Sequence, residues 1–243
     1  MHLALDIGNS ALKGGLFSGS RLVDTWCIPF DEGWEAAFLR RIHANNAHRV
    51  GISSVVPTRT GPVAAVLRDL PVMHVHVKLQ LPFEIAYETP LGADRLAAVA
   101  GAHHLYAKGR TVVVVDAGTA VTYDVLHAAG KYLGGSIGIG LGTTARALAQ
   151  AAAQLPAVDL RLPDTVIGRS TEEGLQAGIM AGFIDQISGM LHRITRELRQ
   201  RPFVVVTGGW HSILNEHVQA VDCSDPHLVL KGVNILLGRN PTP

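Results

Sequence analysis

Cysteine is scarce in this sequence: Cys27 and Cys223 are the only two in 243 residues, and they lie far apart. Two such residues build neither a disulfide framework nor a zinc site. They suit a reducing compartment, so a cytoplasmic protein is expected. Charge is also sparse, at 17% of residues, and nearly balanced, with 21 basic against 20 acidic side chains. That leaves no strong field to gather nucleic acid or an anionic membrane. No long apolar run is present. The longest low-charge stretch, Thr111 to Leu133, is broken by Asp116, Gly118 and Asp124, so no transmembrane helix is expected. The N-terminus enters a strand pattern with no basic leader before it. A dinucleotide fingerprint is missing too, because no G-x-G-x-x-G joins the first strand to a helix.

What the chain does have is apolar residues, 47% of the total. That is enough to bury one large core or two smaller ones. The pattern "LALDIGNSALKGGLF" reads as strand, tight turn, strand. Helical spacing follows in "EGWEAAFLRRIHANNA", then a buried strand in "RVGISSVVP". A second helix is expected in "GPVAAVLRDL", with Pro62 in its first turn, and then a strand in "PVMHVHV". After a loop over 80–92, "ADRLAAVAGAHHLYAKG" predicts a helix over 94–108 that ends at Gly109.

The second half repeats the theme. "TVVVVDAGTAVTYDVL" is again strand, turn, strand. Placing Asp6 on Asp116 brings Gly8 onto Gly118, Asn9 onto Thr119 and Leu16 onto Leu126. A self-match at that distance predicts a duplicated domain, with halves 1–109 and 110–243. A long helix is expected at about 171–199, opened by a capping box in Ser170-Thr171-Glu172-Glu173. It carries Gly174, Gly178 and Gly182 on one face. They mark either close packing inside the chain or a subunit interface. "FVVVTGGWHSIL" predicts a last strand, a glycine turn and a helix.

Each Asp-x-Gly turn delivers a carboxylate to the end of a strand, while the glycine lets the backbone turn and expose its amides. Amides cradle anionic oxygens, so phosphate is the natural ligand. The carboxylates oppose it, because one like-charge pair at 4 Å costs about 4 kcal/mol at an effective dielectric near 20. A bound nucleotide triphosphate therefore calls for Mg²⁺ between them, with Asp6 as one contact through the phosphates. Lys13 on the returning strand adds positive charge. Turns after strands are common and a single copy says little. Two copies in matching contexts say much more. His74 with His76, and His103 with His104, lack a third ligand at metal spacing and read as ordinary surface or core histidines.

These stretches resemble a known family. The two turns and the Gly-Gly turn of "VTGGW" are similar to the actin, sugar kinase and Hsp70 superfold. "DIGNSALKGGLF", "LGADR", "DAGTAVTYDVL", "GGSIGIGL", "STEEGLQAGI" and "VTGGW" come in the order of type III pantothenate kinase and span nearly the whole chain. The resemblance implies an α/β fold of two duplicated RNase H-like domains with an interdomain cleft. It implies ATP-dependent phosphorylation of the primary hydroxyl of pantothenate, the first step of coenzyme A synthesis. By the same resemblance Asp6, Ile7, Gly8, Asn9, Ser10, Ala11, Leu12 and Lys13 bind ATP phosphates, together with Thr119. Tyr87, Gly92, Ala93, Asp94, Arg95 and Thr171 hold pantothenate, with Arg95 as a fork for its carboxylate. Asp116 helps bind a monovalent cation, K⁺ or NH₄⁺, and the protein is a homodimer. This chain departs from the family pattern at Ser10, where threonine is usual, and at Ile139, where proline is usual. The stretch between Tyr87 and Gly92 is about two residues short.

Asp94 has two candidate duties. At the mouth of its helix it can cap free amides. By the resemblance it is the general base toward the substrate hydroxyl, as carboxylates are in kinases of other folds. Two other functions fit the same fold: a non-enzymatic nucleotide-binding regulator, and a kinase for another small molecule.

Overall fold

The structure is a computed structural model. It describes residues 1–44, 46–86, 91–152 and 154–241. They form two compact units. The first comprises 1–110, 126–134 and 227–243, and the second 111–125 and 135–226. Compared with a single cut after residue 109, the segments 126–134 and 227–243 fall with the first unit.

In the first unit, β1 (His2–Ile7), β2 (Ala11–Ser18) and β3 (Arg21–Pro29) form an antiparallel meander. β4 (Arg49–Ser54) lies parallel to β1 on its other side, and β5 (Val72–His74) parallel to β4. The order is β3-β2-β1-β4-β5. The sequence pattern leaves β3 out. Only Trp26 and Ile28 of that edge strand are buried, so alternation over its first half is too weak to read. Helix α1 (Trp34–His43) buries Trp34 and Phe38 against this sheet's core, with Leu5, Ile7, Leu12 and Ile52. Helix α2 runs Pro57–Val66. Its first residue is Pro57, whose missing N–H costs nothing there, so Pro62 stands in the helix interior and not in the first turn as expected.

The second unit repeats the plan. β7 (Val112–Ala117), β8 (Ala120–His127) and β9 (Lys131–Ile139) follow one another through tight turns. β10 (Phe203–Thr207) lies parallel to β7 and β11 (Cys223–Ser224) parallel to β10. Five strands run in the order β9-β8-β7-β10-β11, as in the first sheet, and a short sixth strand is added at the edge of β9. Two sheets with one unusual strand order bear out the duplication. The hairpin 126–134 belongs to the first unit, where β6 (Glu84–Ile85) pairs with the start of β9. The second core gathers Val113, Val115, Tyr123, Leu141, Phe183 and Val206. It is covered by α4 (Leu141–Ala151), α5 (Thr171–Leu198) and α6 (His211–His217).

The repeat is inexact at the turn. Three residues separate β1 from β2, and two separate β7 from β8. The Gly8 N–H donates to the Ala11 carbonyl at 3.1 Å, whereas the Gly118 N–H donates to the Ala120 carbonyl at 3.0 Å. Beyond the turn the match therefore slips by one residue, and Leu16 and Leu126 are not equivalent.

Helix α3 (Ala93–Ala102) continues through one π-helical turn, His103–Ala107, close to the expected span 94–108. Every residue of α3 except Asp94 is buried. Its partner is α7 (Leu228–Arg239), which packs on α3, β1 and β4 within the first unit. The two helices cross almost backbone to backbone. A Cβ at Gly232 would overlap the Ala97 carbonyl, and one at Gly101 would come within 2.8 Å of the Leu228 carbonyl oxygen.

Helix α5 opens as expected in part. The Ser170 hydroxyl accepts from the Glu173 N–H at 3.2 Å, but the Glu173 carboxylate accepts from the Arg169 N–H at 2.6 Å, one residue earlier than a capping box requires. Gly174, Gly178 and Gly182 have nothing within 4 Å of where a Cβ would stand. The space beside them is open among the described residues, although the chain at Gly168 comes close to the Gly174 backbone.

Candidate active site

The end of β1 sets the first half of the site. Asp6 stands directly opposite Lys13 in β2 and Ser53 in β4. The Ser53 hydroxyl is fully buried and donates to Asp6 Oδ1 at 3.4 Å. Burial pushes the Asp6 carboxyl up to about 6, with Lys13 opposing and Asp94 adding to the rise. Asp6, Lys13 and Asp94 thus share one electrostatic environment inside the first unit. Ile7 and Leu12 are fully buried and anchor the hairpin in the core. Only their backbone can serve a ligand. Asn9 and Ser10 are exposed at the tip, and Gly8, Ala11 and Lys13 are half-buried.

Asp94 is the second residue of α3, not its N-cap. That position belongs to Gly92, which has no side chain to cap with. The carboxylate still serves one free amide of the first turn, since Oδ1 accepts from the Arg95 N–H at 2.7 Å. Gly92 is needed here because a Cβ would stand 2.7 Å from Asp94 Oδ1. Ala93 is buried beside it. Arg95 is only 7% exposed, and its guanidinium donates to the buried Tyr132 hydroxyl at 2.9 Å. The guanidinium is thus mostly buried in the first unit, with one of its nitrogens committed to Tyr132. Tyr87 lies outside the described residues.

The second turn lies in the second unit. Asp116, half-buried, stands one residue before the end of β7, opposite Thr207 of β10. The carbonyl of Thr119 accepts from the Gly140 N–H at 3.1 Å and from the Thr143 hydroxyl at 2.7 Å, which fixes the turn. Gly208 has φ 87, and a Cβ there would run into Asp116 and the Ala117 backbone. The "VTGGW" glycine therefore lets β10's turn close over the acid, and the Trp210 N–H donates to the Ala117 carbonyl at 3.2 Å. Thr171, exposed, is the first residue of α5. Ile139 is exposed at the end of β9. Among the described residues no group of three or more His, Cys, Asp or Glu side chains is arranged to hold a metal ion.

Ser53, Tyr132 and Thr143 escape the sequence patterns. Ser53 falls in an evident strand, but only the parallel register of β1 and β4 puts it on Asp6. Tyr132 pairs with Arg95 across 37 residues, and nothing local signals that.

The family model for type III pantothenate kinase matches residues 2–193. A type III pantothenate kinase of Acidothermus cellulolyticus is 37% identical, with 99% of both chains covered. That of Frankia alni is 36% identical over 99% of this chain and 100% of its own. Among solved structures, a Campylobacter jejuni protein described as a Baf family transcriptional activator superposes with a TM-score of 0.66 at 19% identity, covering 97% of each chain. The ROK hexokinase of Thermus thermophilus gives 0.51 at 17% identity, over 96% of this chain and 97% of its own. These structural likenesses speak for the duplicated fold alone. The sequence match over most of the chain goes further: this chain belongs to the type III pantothenate kinase family.

Proposed function

We propose that the protein transfers the γ-phosphoryl group of ATP to the primary hydroxyl of pantothenate, giving 4′-phosphopantothenate and ADP. The observation that carries this reading is the grouping of Asp6, Lys13 and Asp94 in one charged environment at the end of β1. Asp94 accepts the hydroxyl proton as the new P–O bond forms, and the bond to the ADP oxygen breaks. Its Oδ1 is steadied by the Arg95 amide, at the positive end of α3. Lys13 and the amides of residues 7–12 hold the phosphates, with Thr119 contributing from the second turn.

Two carboxylates that burden each other fit a divalent cation. Mg²⁺ commonly takes one or two carboxylates and completes its shell with phosphate and water. When bound it neutralises charge that develops on the phosphoryl group. Asp6 would hold it through the phosphates, and Asp116 would serve K⁺ or NH₄⁺. Gly92, Ala93, Asp94, Arg95 and Thr171 bind pantothenate in this reading, as does Tyr87. Arg95 contributes from a buried position, braced by Tyr132. The protein acts as a homodimer. Supporting this are the open face at Gly174, Gly178 and Gly182 and the exposed Ile137, Ile139, Val166 and Ile167 in the same unit. Neither Cys27 nor Cys223 is in a disulfide, in keeping with a cytoplasmic setting, and no described helix is long and apolar enough to cross a membrane.

The test is ADP release with ATP, Mg²⁺ and pantothenate, with and without K⁺. Pantothenate-dependent release that rises with K⁺ is expected. Release only with another acceptor would point to a different kinase, and retained nucleotide binding without turnover to a regulator.

A further inference from the structure

At the far end of α3 from Asp94, the first unit contains a pocket of about 320 Å³ that the phosphoryl transfer does not use. His103, His104, His127 and Lys108 line it, with the backbone of Gly109 and Gly130. Nine residues of helix separate His103 from Asp94, about 14 Å at 1.5 Å per residue. Several local features build the pocket. The chain leaves α-helical geometry for a π-helical turn at His103–Ala107, which displaces the two histidines from the register they would otherwise keep. Lys108 then takes a left-handed backbone, φ 41, that a non-glycine residue adopts at a cost. The carbonyl end of the helix is already served: the Arg110 N–H donates to the Ala107 carbonyl at 2.7 Å, and its Nε to the Tyr106 carbonyl at 2.9 Å.

No acidic side chain is among the lining residues. The charges around His103 are Arg239 of α7 and His104, and the Phe83 ring lies 6.3 Å away. Glu84 and Lys131, opposite each other in β6 and β9, flank the Gly130 loop, and the Glu84 N–H donates to the Gly130 carbonyl at 2.9 Å. The imidazoles do not form a chelate, since no described cluster suits a metal ion. Lys108 and Arg239 would also repel a cation. What remains is a ring of hydrogen-bond donors with positive charge beside it.

We propose that this pocket binds a phosphate-class dianion, held by Lys108 and the imidazoles of His103, His104 and His127. The proposal is independent of the kinase reading. His127 Nδ1 accepts from the Ala129 N–H at 3.2 Å, so its neutral ring keeps the proton on Nε2 and donates from there. His103 behaves differently. Burial, Arg239 and His104 all hold its pKa below the usual value, which favours the neutral ring. A dianion beside it favours the imidazolium. Binding therefore takes up a proton at His103 and strengthens as pH falls.

Sulfate is the probe, because its charge is constant from about pH 5.5 to 8 while histidine titrates. Histidine ring resonances are followed by NMR in the whole protein. Saturable shifts of His103 and His127 are expected, with affinity rising by up to about tenfold per pH unit lowered. Lys108→Asn removes the cation with a residue that tolerates the left-handed backbone, and His127→Gln removes one donor. Each is expected to weaken sulfate by about tenfold or more and to leave kinase turnover unchanged. Lys13→Ala is expected to leave sulfate binding at this pocket intact. Pyrophosphate should compete for the same site. Shifts that grow without saturation, an affinity unchanged in Lys108→Asn, or an affinity independent of pH would each overturn the proposal. So would saturable shifts with Zn²⁺ and none with sulfate.

Discussion

Asp6 is poorly housed for a negative charge. Burial and the Asp94 charge raise its pKa from 3.8 to about 6 despite Lys13 and Ser53. The native state therefore holds the Asp6 proton more tightly than the unfolded chain does. Stability from this group is fully present below about pH 4 and is lost as pH rises through about 6. That rise sets an upper limit of about 3 kcal/mol on the effect. Asp6→Asn should thus raise the melting temperature at pH 7.5 in Mg²⁺-free buffer. The gain should shrink toward zero near pH 4, and phosphoryl transfer should fall. A melting temperature at pH 7.5 no higher than the wild type's would contradict the assigned burial cost. Asp94→Asn separates base from helix partner. It should keep the fold and ATP binding while kcat drops by about 10²–10⁴, with stability changed by no more than roughly 2 kcal/mol. A normal kcat would remove the role of base from Asp94. At this scale the acids were visible in the sequence, because Asp-x-Gly after an apolar run is local. Their supports were not. The bonds from Ser53 to Asp6 and from Arg95 to Tyr132 join strands and helices far apart in the chain.

Elements were legible where burial follows a simple period. β7 and β10 open as continuous apolar runs, β1 and β4 carry shorter ones, and α5 shows its cap and its glycine face. β3 was lost because an edge strand needs few buried residues, and α2 began early because Pro57 can start a helix as well as Pro62 can. The α3–α7 crossing was hidden too, since Gly101 and Gly232 read alike with any other glycine until the partner backbone is known. Its importance is measurable. Gly232→Ala puts a Cβ into the Ala97 carbonyl, which cannot swing aside. Overpacking of that kind costs about 1–3 kcal/mol, or a melting temperature lower by roughly 2–12 °C in a chain of this size. Gly238→Ala, in the same helix with open space around it, should instead be neutral or slightly stabilising by about 0.5–1 kcal/mol. Equal effects of the two in thermal unfolding would rule out the close crossing as the cause.

For the molecule as a whole, the duplication was legible because each half announces itself with the same acidic turn, and the matching strand orders followed. The slip at the second turn was not, since one residue fewer leaves the motif looking the same. Assembly is the remaining question at this scale. Ile137 is 64% exposed on β9, beside Ile139 in the alternating pattern of that strand. Under the proposed homodimer, Ile137→Lys should lower the mass in light scattering to that of a monomer while the circular dichroism stays native. An unchanged mass would move the interface elsewhere. The placement of α7 also bears on biogenesis. The ribosome makes β1, β4 and α3 first, and supplies the helix that covers them only after the entire second unit has emerged. At 5–20 residues per second that is a delay on the order of ten seconds. Throughout it, the side of α3 that carries Ala97 and Gly101 lacks the helix that covers it in the folded unit.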